Sequence, residues 1–221
     1  MIRNILLILI LCLPFYLNDI FYMYLVNGSM VNFLIIDLIL FVLIPLTTIY
    51  IYFKKQIFTL EEIGLTKNNI LKNIIYGFVL FLILLTLINY FVGPAVYSIS
   101  SIQNHSKILL PHFGNNLFIV LYLSITSSII EETVFRGIVT SKLKNITSNI
   151  FLLVFVSCLL FSLIHWGEGI PKVLITFFWA IIPTIWIIKY KNLSPLIFCH
   201  FFYNFYVFSG FSIYSLIFIT Q

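Results

Sequence analysis

The chain has 221 residues, 62% hydrophobic and only 9% charged, with a net charge of +5. A soluble domain carries about 25% charged and 45–50% apolar residues, so this balance excludes a water-soluble globule and defines an integral membrane protein. At about 20 residues per spanning helix the length holds about six to eight spans in a single domain, 1–221, with no room for a separate soluble one.

Apolar runs predict helices over 4–26, 31–53, 70–92, 116–141, 148–166, 172–190 and 194–219, an all-α polytopic transmembrane helix bundle of about seven spans. The first run follows the basic Arg3 as a signal peptide would. It lacks a small-x-small cleavage site, so it reads as an uncleaved helix. In the loop 56–70, Thr59 and Glu62 have capping-box spacing, and Leu60, Ile63 and Gly64 suit a membrane surface. A short interfacial helix is therefore expected near 58–66, with Glu61 and Glu62 solvated.

Lysine and arginine in the flanks set the orientation. Arg3, Lys54, Lys55, Lys67, Lys72, Lys142, Lys144, Lys189 and Lys191 fall on one side, against Lys107 and Lys172 on the other. That asymmetry puts the N-terminus in the cytoplasm, and the compact chain suits a prokaryotic cell membrane. With no basic stripe interleaved with aromatics, the positive charge reads as topology and contact with the lipid bilayer, not as nucleic-acid binding. Cys12, Cys158 and Cys199 lie in separate apolar runs without CxxC spacing and read as reduced packing residues.

The fourth helix breaks the apolar pattern with Glu131, Glu132 and Arg136. Each ionised group at the centre of a membrane helix costs roughly 2.5–3.5 kcal/mol unless it pairs or faces a wet cavity. Glu132 and Arg136 are i,i+4 neighbours able to pair, while Glu131 points about 100° away. Ser124, Ser127, Ser128 and Glu131 share one small, polar stripe that faces other helices or water. The simplest division balances Glu132 with Arg136 and leaves Glu131 to exchange protons in a cavity. A buried bridge that only fixes helix packing is the competing reading.

The fifth helix ends at His165, four residues after Phe161. The last begins with His200 and Asn204 one turn apart among aromatics that cannot satisfy them. The apolar core thus holds two acids, an arginine, two histidines and an asparagine, which is an acid–base set. Counted from the basic ends, however, Glu131 and His200 lie deep, whereas His165 falls near the far end of its helix. For the three to meet, the fifth helix must be short or tilted, or residues 166–171 must dip back.

EETVFRG fits EExxxR, Phe161 to His165 fits FxxxH, and His200 to Asn204 fits HxxxN, in that order on successive helices. The chain thereby resembles the CPBP family of intramembrane proteases, which includes CAAX proteases and bacteriocin-processing (Abi) enzymes, over about residues 120–205. The core carrying these motifs is 116–219. One departure is the sixth helix, where FFWAIIP at 177–183 replaces a small-residue pattern.

The resemblance implies an intramembrane endopeptidase acting on a membrane-associated peptide or CAAX-like substrate. Glu131 and His165 would activate a water, His200 and Asn204 would stabilise the oxyanion, and Glu132 with Arg136 would hold the geometry. No cofactor is implied, although Glu131, His165 and His200 are also a possible zinc set, so a zinc-dependent version stays open. HExxH, GxSxG and GxGD-like signatures are absent, and Cys199 beside His200 points away from it on a helix. The rival is a non-catalytic bacteriocin-immunity or regulatory membrane protein, or a small transporter, that binds without cleaving.

Overall fold

The structure, a computed structural model, describes residues 1–66, 69–99 and 116–210. It is 85% helical, with no strand among the described residues. Among the described residues six helices are long and apolar enough to cross a membrane: α1 (Ile2–Val26), α2 (Met30–Lys54), α3 (Ile70–Ser98), α4 (Leu117–Lys144), α5 (Ile150–Glu168) and α6 (Ile170–Tyr190). A shorter seventh, α7 (Ser194–Phe208), follows. The expected extension of α7 to 219 and the positions of Lys67 and Lys107 lie outside the described residues.

Local chemistry sets the helix starts. Ser29, Asn69, Asn116 and Asn149 each accept a hydrogen bond from a backbone N–H in the first turn of α2, α3, α4 and α5. Those N–H groups have no partner inside the helix, and hydrocarbon offers none. Pro171 and Pro195 occupy first turns of α6 and α7, where a missing N–H costs nothing. α3 runs past the predicted end at 92 because its backbone widens to a π-helix over Ile88–Val92 just before Gly93 and Pro94. The wider turn relieves the clash that Pro94 would make with a regular α-helix.

The short interfacial helix expected near 58–66 is instead a single turn. Its capping box is present: Thr59 N–H donates to Glu62 at 3.0 Å and Glu62 N–H to Thr59 Oγ1 at 3.1 Å. Gly64, at φ +82°, then stops it, with Gly64 N–H bonding Glu61 O and Leu65 N–H bonding Leu60 O. Ile63, expected at the membrane surface, is instead buried in the bundle together with Phe58, whereas Leu60 is exposed. Lys142 Nζ donates to Ile57 O at 2.7 Å and Leu193 N–H to Gly64 O at 2.9 Å, so this turn closes the end of the bundle carrying Lys54, Lys142 and Lys191. Lys172 lies at the opposite end of α6.

An aromatic series crosses the core. Phe15 of α1 packs on Phe135 of α4 (5.4 Å between ring centroids), Phe135 on Phe161 of α5 (5.5 Å), and Phe161 on Trp179 of α6 (5.7 Å). Cys12, Cys158 and Cys199 are free and buried. α7 sits between α3 and α4. Its approach to α3 is set by Gly77, where an added Cβ would lie 2.5 Å from Phe198 Cβ and 2.8 Å from Pro195 O.

Gly77→Ala should therefore lower unfolding free energy by about 1–3 kcal/mol, as overpacking does. A thermal midpoint in detergent micelles equal to that of the wild type would contradict this packing.

Candidate active site

α4 changes winding at the acids. It is α-helical over Leu117–Glu131, π-helical over Glu132–Val139 and α-helical again over Thr140–Lys144. Thr140 Oγ1 donates to Phe135 O at 2.8 Å and shares a 3.0 Å hydrogen bond with Ser157 of α5, which secures the wider segment. π-helical turns occur often at functional sites.

Within this segment Glu132 and Arg136 pair, Nη1 to Oε1, at 3.2 Å, with 0% and 1% of their side chains exposed. Hydrogen-bond geometry is not met, and Arg136 Nε, Nη1 and Nη2 find no acceptor among the described residues. Aromatic faces hold the cation instead. The guanidinium carbon lies 3.7 Å from the Phe161 ring centroid and 5.2 Å from that of Trp179. A planar, weakly hydrated guanidinium tolerates this setting better than an ammonium would.

His200 of α7 reaches both acids. Its Nδ1 is 2.8 Å from Glu132 Oε1, and its Nε2 is 3.8 Å from Glu131 Oε2. The ring leans on Trp179, 4.7 Å between centroids. Asn204, one turn further along α7, donates to Ser127 Oγ of α4 at 2.7 Å. The four-residue spacing on each helix, 200 to 204 and 127 to 131, keeps these contacts in register across two packed helices. Glu132 Oε1 thus answers both the guanidinium and the imidazole. Glu131 Oε2 is buried without a hydrogen-bond partner. Two carboxyls face one guanidinium, so a single further proton neutralises the cluster, and His200 and Glu131 are the groups able to carry it.

His165 stands apart from this cluster. α5 is α-helical only over Ile150–Ser162 and continues as a 3₁₀ turn, Leu163–Glu168, with His165 at φ −103°, ψ 19°. The α-helical part of the fifth helix is short, one of the ways His165 was expected to approach, yet no hydrogen bond or ion pair joins His165 to Glu131. His165 Nδ1 meets Glu168 Oε1 at 2.8 Å, and Glu168 Oε2 meets Lys172 Nζ at 3.3 Å. Phe161 links the two groups, edge-on to His165 at 5.8 Å and to His200 at 6.2 Å. Glu131, His165 and His200 do not converge as a zinc set would, and among the described residues no cluster of three or more His, Cys, Asp or Glu is arranged to hold a metal ion.

The sequence reading did not assign Trp179, Ser127, Glu168 or Lys172 to the site. Ser127 lay in the polar stripe and Trp179 in the departing sixth helix, but only the packing of α6 and α7 on α4 gives them partners.

Fold and site together define a multi-pass membrane protein with a buried acid–base cluster at the meeting of four helices. Residues 113–206 match the family model described as type II CAAX prenyl endopeptidase Rce1-like, a span containing all three motifs. Over that stretch the chain is similar to CAAX endopeptidases, consistent with the CPBP/CAAX protease resemblance of its motifs. No curated protein and no solved structure matches it.

Arg136→Ala strands Glu132 and should cost about 3–5 kcal/mol, as breaking buried pairs does. Arg136→Lys should recover only part of it, because an ammonium cannot lie flat between Phe161 and Trp179. Unfolding in detergent checks both; a lysine variant as stable as the wild type would refute the aromatic support.

Proposed function

We propose that this chain is an intramembrane endopeptidase that hydrolyses a peptide bond of a membrane-associated substrate through a water activated by Glu131. The observation that carries the reading is the single imidazole of His200 set between two adjacent buried carboxylates. The description of the matched family supports a CAAX-like peptide as substrate. The excess of lysine and arginine on one side supports a cytoplasmic N-terminus, and the compact chain suits a prokaryotic cell membrane.

The steps follow from the charges. Resting, His200 carries the neutralising proton as an imidazolium, donating Nδ1–H to Glu132. Glu131 takes a proton from water as the oxygen attacks the scissile carbonyl, and the tetrahedral oxyanion forms. His200 Nε2–H and the second N–H of the Asn204 amide donate to that oxyanion, an arrangement worth about 10²–10³ in rate per donor. The proton on Glu131 then passes to the leaving nitrogen as the C–N bond breaks. Glu132 and Arg136 fix the position and tilt of the His200 ring. His165, whose Nδ1 is taken by Glu168, offers Nε2 to the water from the neighbouring turn.

Glu131→Gln and His200→Ala should each reduce kcat by at least about 10²-fold. The check is cleavage of an internally quenched prenylated peptide by purified protein, alongside retained folding. Full activity of either variant defeats the mechanism. Trapping a covalent substrate adduct would also count against it, since attack by water leaves no acyl-enzyme. Activity lost to a chelator and restored by zinc would favour the metal version.

A further inference from the structure

Two hydrogen bonds tie the His165 turn, and a third the helix just before it, to a helix that lies outside the matched residues 113–206. Asp19 Oδ2 of α1 accepts from Gly167 N–H at 2.8 Å, Trp166 Nε1–H donates to Tyr16 O at 3.2 Å, and Tyr16 O–H donates to Leu160 O at 3.0 Å. Asp19 is 6% exposed, so an ionisable group in an apolar helix is kept for one backbone N–H two residues past His165. We infer that Asp19 is a positioning residue: it clamps the Leu163–Glu168 turn and so sets where His165 stands relative to the Glu131–Glu132–His200 cluster.

The turn needs such a support. A 3₁₀ turn has poorer hydrogen bonds than an α-helix, and His165 breaks even that pattern with non-helical dihedrals. Gly169 follows at φ 98°, so the chain reverses into α6 at once. On the side away from α1, the turn's ion pairs are His165–Glu168 and Glu168–Lys172, about one-fifth to one-third exposed. The aspartate therefore anchors a stretch of the site that regular helix winding does not fix.

The inference rests on the proposed peptidase reading for its consequence, but not for its first test. Hydrogen exchange of full-length protein in detergent, followed over residues 163–169, should be about tenfold faster in Asp19→Ala and close to wild type in Asp19→Asn, which keeps an acceptor oxygen. Unchanged exchange in Asp19→Ala overturns the clamp, as does an Asn variant as loose as the Ala variant. With the quenched prenylated peptide, Asp19→Ala should lower kcat about tenfold with KM within twofold, and Asp19→Asn should recover most of it. A looser turn with unchanged kcat overturns the positioning role. A wild-type protein that leaves the peptide intact defeats the peptidase reading instead, and exchange alone then decides the clamp.

Discussion

The demand made by Arg136 organises the centre of this bundle. A guanidinium with almost no exposure, set among apolar side chains, needs a counter-charge and a surface its flat face can rest on. Glu132 supplies the first from one turn away. Phe161 and Trp179 supply the second from α5 and α6, and the same rings bracket His200. Satisfying one cation thus brings four helices to a point. His200 is held by the same rings that hold the arginine.

Helix packing converts that balance into register. α4 and α7 touch along a column in which Asn204 meets Ser127 and His200 meets the two glutamates. α7 can approach this closely because Gly77 of α3 has no side chain to hold it off on its other flank. Small residues at such crossings let backbones approach where no hydrophobic drive between helices exists in lipid. An inert glycine on one helix and the polar groups on another therefore serve one dimension, the distance between α7 and α4.

Much of this was legible in the sequence. Run lengths mark the spans, and the i,i+4 rule alone pairs Glu132 with Arg136. What sequence spacing did not carry was winding and depth. The π-helical stretch at Glu132–Val139 and the 3₁₀ turn at Leu163–Glu168 leave no mark in hydrophobic periodicity, yet they decide where the acids point and why His165 meets Glu168 and not Glu131. The loop near 58–66 erred differently. Its capping box was read correctly, but the burial of Phe58 and Ile63 depends on a hole between distant helices that no local pattern reports. Asp19 carries the same signal as Glu131, an acid in an apolar run, but a lone acid does not name its partner.

The closing turn at 57–65 bears on how this protein can be divided. Ile63 fills the space over Gly137 of α4, Gly64 O holds Leu193 N–H at the entry to α7, and Ile57 O holds Lys142. On the other flank Phe15 covers Phe135, and Tyr16 and Asp19 grip the end of α5. The motif-bearing stretch is consequently not a portable module. Transplanted into another membrane protein without α1 and the α2–α3 turn, it would open Phe135 and the carbonyls and N–H groups at both of its ends to lipid. The unit that recombination can move intact takes in the helices before the motifs as well as those that carry them.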